Sequence, residues 1–348
     1  MVPSSKRFTS HALAVVICAL TIAGCGGGGT TPPGGGVSPT PSPTPTSSPT
    51  IAPGAITEYP IPTASAGPSG IAAGPDGNLW FTEIAADKIG RITPTGTTTE
   101  FPVPTANAQP YRIAAGPDGN LWFTESAGNN IGRITPTGTI TEYPIPTANS
   151  DPSGITAGPD GNLWFSETAV SANKIGRITP TGTITEFSVP TFAAEPTGIA
   201  AGPGGNLWFM ETAAFQIGSI TPTGTITEFS VPGSGLGAIA AGPDGNLWYT
   251  ETTSAANKVG RMTPTGTVTE FSVPTASAEP LGITAGPDGN LWFTEFSGNN
   301  IGRITPTGTI TEFPVPTASA QPISIVAGPD HNLWFTESSS NKIGKIIP

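Results

Sequence analysis

From residue 55 onward the hydrophobic and polar positions repeat one short text. A unit holds four apolar runs, for example "GIAAG" (70–74), "NLWFTE" (78–83), "KIGRIT" (88–93) and "TTTEFPVP" (97–104). Each run has strand length, none carries a helical period, and Pro-Asp-Gly or Pro-Thr-Gly turns punctuate them. All seven tryptophans, Trp80, Trp122, Trp164, Trp208, Trp248, Trp292 and Trp334, fall at one place in the unit, 40 to 44 residues apart. Four strands per period of about 42 residues predict the blade of a β-propeller. The expected fold is all-β, a seven-bladed β-propeller of four-stranded blades over residues 55–348.

Each strand's composition assigns it a place in the blade. The first is rich in Ala and Gly, as crowding around a central axis demands. "LWF" is apolar on both faces, as a strand between two blades must be. The fourth ends in Val-Pro or Ile-Pro, and proline suits an edge strand because it blocks further pairing. The last unit stops at "KIGKIIP" without a fourth strand, while 55–63, "AITEYPIPT", is a fourth strand without a blade. The N-terminal strand is therefore expected to join the last blade and close the ring.

Length changes mark one face. "TAVSANK" and "TTSAANK" carry two extra residues between the second and third strands, and "GSGLGA" shortens a fourth-to-first connection by two. In a four-stranded meander both connections emerge on the same face, and repeat proteins place binding on the face that varies. Each unit also delivers a glutamate there: Glu83, Glu125, Glu167, Glu211, Glu251, Glu295 and Glu337. Asp151, Glu195 and Glu279 add a second acid near the start of an inner strand. Clustered carboxylates are what Mg²⁺ or Ca²⁺ requires, which makes Glu195, Glu211, Glu279 and Glu295 candidate metal ligands. A glutamate present in every unit can equally cap a strand or pair with a repeat partner such as the "IGR" arginines (Arg91, Arg133, Arg177, Arg261, Arg303). The "ITE" glutamates, Glu100 among them, are expected to pair across to those arginines. The Asp of "GPDG" is turn chemistry, and Gly204 replaces it in unit four. Tyr111, Arg112, Phe192, Met210, Phe215 and Phe296 break the repeat. Together they suggest an apolar and aromatic patch for a small amphipathic ligand, although exposed apolar residues often stand singly without function.

The first residues form a separate story. Lys6 and Arg7 precede an apolar run, Ala12 to Ala23, too short to span a bilayer and typical of a secretory signal. The run ends in "IAGC", which resembles a lipoprotein lipobox and implies cleavage after residue 24 and a lipid on Cys25. Residues 25–54 then form a Gly/Pro/Ser/Thr tether, able to hold a domain up to about 90 Å from a membrane. With Cys18 in the leader, the mature chain is left with one cysteine, which argues against disulfides and cysteine-bound metal. A formal net charge of −11 argues against a nucleic-acid partner.

"ITEFPVPTASAQP", "GPDGNLWFTE" and "NKIGRITPTG" together resemble the repeat of the virginiamycin B (streptogramin) lyase family over all of 55–348. The resemblance implies a seven-bladed propeller that linearises streptogramin B depsipeptides by Mg²⁺-dependent elimination. It also implies a site of the form "E-P-H-G-I", whose histidine is the general base, helped by the "LWFxE" glutamate. Carried onto this chain, the motif becomes Glu279, Pro280, Leu281, Gly282, Ile283 and Glu195, Pro196, Thr197, Gly198, Ile199. The other units offer Ser69, Tyr111, Ser153, Gly237 and Ile323, so the histidine is replaced throughout. His331 sits in the turn "GPDHNLW", on the opposite face. Any proton abstraction would need a desolvated glutamate or Tyr111, leaving Glu279, Glu295 and Tyr111 as catalytic candidates.

The sequence thus points to a lipid-anchored, extracytoplasmic, monomeric propeller of the bacterial cell envelope, binding a small molecule or envelope partner. Its membrane contact is expected through the anchor alone. The alternative is a divergent lyase, or a lactonase resembling the metal-dependent gluconolactonase propellers, using Mg²⁺ or Ca²⁺ on the acidic face. An envelope scaffold is a third possibility.

Overall fold

The structure, a computed structural model, describes residues 52–348. The signal segment 1–24, Cys25 and nearly all of the tether lie outside the described residues. Among those described, twenty-eight strands form seven four-stranded antiparallel sheets. The first strand, β1 (Ile56–Pro60), is followed by blade 1: β2 (Pro68–Ala73), β3 (Leu79–Glu83), β4 (Lys88–Ile92) and β5 (Thr98–Pro102). Blades 2 to 6 repeat that order, and blade 7 takes its fourth strand from β1, which pairs antiparallel with Lys342–Ile346. The ring closes as the orphan strand at 55–63 predicts. No helix among the described residues is long and apolar enough to cross a membrane.

The strand assignments follow from packing. β3 is buried at every position and carries Trp80 and Phe81, both fully buried. Trp80 and Thr82 point to one face of the sheet and Phe81 and Glu83 to the other, so neighbouring blades are joined by apolar layers on both sides. Each of seven core clusters mixes residues of adjacent blades; one joins Trp334 and Ile343 to Ile71, Leu79 and Phe81. Gly90 is obligatory because a Cβ there would enter the Phe81 ring. At the axis, a Cβ on Gly70 would lie 2.8 Å from Tyr111 O, which explains the small residues of the inner strands.

One device recurs where the inner strands begin. Pro68 pairs with Glu83 but Ile71 with Phe81, so β2 carries one extra residue, a β-bulge at Ser69 and Gly70, and every blade has it in the same place. A bulge frees backbone groups and re-aims side chains. The freed groups are met by a hydroxyl: Gly70 N donates to Thr82 Oγ1, which donates to Tyr111 O of blade 2. Thr124, Ser166, Thr250, Thr294 and Thr336 make the same link, the last reaching Ser69 O across the closure.

Candidate functional site

The first bulge residues of the seven blades are Ser69, Tyr111, Ser153, Thr197, Gly237, Leu281 and Ile323, and five of them, Tyr111, Ser153, Thr197, Gly237 and Leu281, line one hollow at the start of the inner strands. Behind them the inner strands enclose an axial cavity of about 440 Å³, walled by small and aliphatic residues such as Ile113, Ile155, Ala238 and Val326. A second hollow, about 240 Å³, shares Arg112, Gly154, Gly198 and Ala238 with it and adds Tyr111, Ser153, Thr197 and Leu281. A third, about 290 Å³, extends outward from Tyr111 to Ser126, Thr168 and Asp151. Arg112 is the one charged side chain lining the first two. Its guanidinium stacks 4.4 Å from the centre of the Tyr111 ring and donates to Ser69 Oγ at 3.1 Å, and no carboxylate lies within ion-pair distance of it among the described residues.

The expected ligand patch divides. Tyr111 and Arg112 stand together at the axis. Phe192 and Phe215 are outliers on the rim loops, 86% and 45% exposed, and Phe296 is half-buried outside the axial lining. Met210 is fully buried and belongs to the core, packed with Leu236 and Tyr249. It occupies the hydroxyl position of "LWFTE" and faces the neighbouring blade, so Met210, expected in the ligand patch, is a core residue instead.

The glutamates ending the tryptophan strands lie on the expected face but beneath its loops, fully buried. Each sits beside the glutamate of its own outer strand. Burial pushes the carboxyl of Glu125 up to about 8, as it does Glu167, Glu211 and Glu295, and that of Glu83, Glu251 and Glu337 up to about 7. Nearby outer-strand carboxylates push the same way. A buried carboxyl kept neutral can donate its one proton to the adjacent carboxylate, which would give a partner to one of the two unpartnered oxygens of Glu167 and of Glu211. Three of the outer partners, Glu58, Glu100 and Glu186, behave oppositely. Despite some burial, Glu100 is held below the ordinary range by Lys88, 2.8 Å away, and by the Thr63 hydroxyl and N–H. Glu58 and Glu186 are held down in the same way by Lys342 and Lys174.

The expected pairing of "ITE" glutamates with "IGR" arginines is therefore corrected. Arg91 faces Trp80 and Thr99 in the register, whereas Glu100 faces Gly90, so the two emerge on opposite sides of the sheet. Arg91 instead lies over the Trp80 and Phe101 rings, 5.5 and 5.6 Å from their centres, and donates to Pro136 O of the next blade. The turn Asp completes the assembly: Asp76 Oδ1 accepts from Trp80 Nε1 at 3.0 Å.

The second acids stand apart from the buried ring. Asp151, Glu195 and Glu279 occupy a left-handed backbone position (φ 50, 51 and 53°) just before the inner-strand prolines Pro152, Pro196 and Pro280. Gly67 and Gln109 hold the same conformation. Glu279 accepts from Ser297 Oγ at 2.7 Å. Among the described residues no three acidic or histidine side chains converge as a metal-binding group. Glu295 and Glu279 thus occupy different environments: Glu295 accepts from Asn300 beneath the loop, while Glu279 is half-buried in the connection. The bulge-linking hydroxyls of Thr82 and its equivalents were missed from sequence. Their signal was a Thr or Ser held directly after the apolar Leu-Trp-Phe or Leu-Trp-Tyr in six of the seven strands.

Fold and mouth together define a class, a seven-bladed propeller with an axial cavity opening on the face of its variable loops. The chain belongs to the virginiamycin B lyase family, whose model matches residues 49–194 and 167–348. It is similar to the crystal structure of virginiamycin B lyase from Staphylococcus aureus, at 41% identity and a TM-score of 0.80, covering 84% of this chain and 99% of that one. A catalytically inactive histidine-to-alanine variant of that lyase, solved with quinupristin, matches equally well, at 41% identity, TM-score 0.80 and the same coverage. A virginiamycin B lyase of Saccharopolyspora erythraea is 49% identical over 41 residues, 12% of this chain and 14% of that enzyme's length.

Proposed function

We propose that this propeller binds a small amphipathic ligand at the mouth of its axis and does not carry out the family's elimination chemistry. One observation carries the reading: the seven equivalent bulge positions hold Ser69, Tyr111, Ser153, Thr197, Gly237, Leu281 and Ile323, five of them line one hollow, and none is an imidazole. His331, the one histidine of the described residues, is exposed in the turn after an inner strand, at the other end of the blade. No imidazole stands beside the cavity, and the glutamates whose carboxyls are raised to about 7 to 8 are buried beneath the loops and line neither axial hollow, so proton abstraction has no agent there. The walls that remain, apolar with a few hydroxyls and one aromatic-stacked cation, suit recognition. The propeller works as a monomer at the bacterial envelope, carried by a lipid on Cys25 and the 25–54 tether, with no nucleic-acid partner.

Thermal unfolding of the full chain against cyclic depsipeptides, glycans and metals tests the reading, since a ligand preferring the folded state raises the midpoint. A stabilising compound whose effect disappears in Tyr111→Ala, with the variant's own midpoint unchanged, supports it. Binding indifferent to Tyr111, Ser153 and Leu281 overturns it.

A second reading is favoured by the family membership: a divergent lyase or lactonase that holds Mg²⁺ or Ca²⁺ with Glu195, Glu211, Glu279 or Glu295. Glu295, with its carboxyl raised to about 8, and Glu279 or Tyr111 would then move the proton. Calorimetric titration with millimolar Mg²⁺ and Ca²⁺ separates the readings, because a metal-dependent enzyme must bind its ion.

A further inference from the structure

We infer that the ligand of the axial mouth is a monocarboxylate, bound through its anionic group by Arg112 and through its apolar or aromatic body by Tyr111. The inference rests on the axial binding site proposed above and adds the charge of what fills it.

Arg112 departs from the repeat in the one place where departure is hardest. Its position is glycine in four of the other six blades and Ala238 or Ser324 in the remaining two. A Cβ there crowds the neighbouring inner strand: at Gly154 it would lie 2.6 Å from Thr197 O, and at Gly282 2.5 Å from Ile323 O. In blade 2 this crowded position carries the longest cation available, and the bulge turns it toward the axis. Elsewhere the lysines have carboxylate partners, such as Lys88 with Glu100 and Lys345 with Asp330. The other arginines lie over tryptophan rings on the outer part of the blades. Arg112 has neither, and the protein around it is acidic overall.

Its orientation is fixed without neutralising it. The Tyr111 ring supports one side of the guanidinium, and Ser69 Oγ, in a residue 3% exposed, takes one N–H. Tyr111 Oη lies 3.4 Å from the other terminal nitrogen. The remaining N–H groups of the fork are free, and a carboxylate is the small anion whose two oxygens match that geometry. The surrounding walls, Ile113, Ile155, Ala238 and Val326, are neutral and apolar, so the field of the cation is weakly screened. One guanidinium and no second cation balance a single negative charge, which favours a carboxylate over a phosphate dianion.

The test uses fluorine NMR of two isosteric probes, para-fluorophenylacetate and para-fluorophenylacetamide, titrated into the full chain. The carboxylate should bind about tenfold or more tightly than the amide, in keeping with a charge-assisted contact. In Arg112→Met the preference should vanish, the carboxylate losing at least about tenfold more affinity than the amide, with thermal unfolding reporting that the variant is folded. Arg112→Lys should keep part of the preference, since the charge remains and the fork is lost. Equal binding of the two probes to the unaltered protein, or a preference that survives Arg112→Met, overturns the carboxylate assignment and leaves the axial site standing. Displacement of the carboxylate by equimolar inorganic phosphate also overturns it. Failure of both probes to bind overturns the axial site itself and this inference with it.

Discussion

The girdle of the ring and its mouth are built from the same seven repeats by opposite rules. In the girdle one solution is copied: tryptophan on an outer aromatic, a cation above both, an Asp below, and a buried glutamate against a partly shielded one. At the mouth the seven equivalent positions hold six residue types. Repetition marks positions whose environment is made by identical neighbours, and such positions hold the fold. Divergence marks positions facing the shared axial space, where each residue meets something other than its repeat partner. Blade 4 sharpens the contrast, because there the girdle itself fails as a set. Gly204 replaces the Asp, Ser219 replaces the Arg, and Trp208 turns to Pro203 O, with its aromatic partner tilted to 30°. Arg177 and Asp160 approach to 4.0 Å in blade 3, so the loss of both together leaves neither an uncompensated Asp nor an uncompensated Arg. The substitution of Gly204 is thus accompanied by others, and the unit-four turn is more than an exchange of turn residues.

The contrast is broken most severely by removing a girdle tryptophan. Trp292→Ala opens a cavity between blades 6 and 7 and should cost about 3–5 kcal/mol, read as a lowered denaturant midpoint. Next comes Thr294→Val, which leaves Gly282 N and Ile323 O without their shared hydroxyl. It should cost about 1–3 kcal/mol, whereas the equivalent position in blade 4 already lives with Met210. Restoring the girdle of blade 4 with Gly204→Asp plus Ser219→Arg should gain on the order of 0.5–1 kcal/mol. A double-mutant cycle should show the two changes favourable only together. At the mouth, Leu281→Ala should shift stability by less than about 0.5 kcal/mol, as surface substitutions do.

The buried glutamates give the same contrast a pH axis. Their folded pKa values near 7 to 8 exceed the ordinary 4.5, so between those limits the folded state holds more protons than the unfolded one. Stability from this source is fully present below about pH 4.5 and is lost as pH rises through 7 to 8. Glu58, Glu100 and Glu186, held below 4.5, act oppositely, and their contribution is lost on stronger acidification. Maximum stability is therefore expected in mildly acidic solution, with the melting temperature falling toward pH 9. Glu125→Gln should flatten that fall while leaving the acid limb unchanged.

Much of this organisation was legible in the sequence because it is periodic. The tryptophan interval, the orphan strand at 55–63 and the Ala/Gly composition of the inner strands each have one geometric solution, and the structure has it. The faces were harder. That Arg91 and Glu100 point to opposite sides depends on a strand register offset by one residue, which neither strand states alone. The buried state of Glu295 depends on how the loop at Gly298 closes over it, and that of Met210 on the neighbouring blade. At the mouth, Tyr111 and Arg112 were visible as breaks in the pattern, while Phe192 and Phe215 broke it equally and lie on the rim. Only the bulge, shared by every blade, separates the first pair from the second.

The measurement that bears most directly on binding without elimination is incubation of the full chain with a streptogramin B depsipeptide and Mg²⁺, followed by mass spectrometry and chromatography. Linearisation by elimination conserves mass, so the two are needed together. The account predicts that the depsipeptide is recovered cyclic at every pH from 6 to 9. Accumulation of an open-chain isomer that ceases in Tyr111→Phe or Glu295→Gln would contradict it and place the base among those side chains.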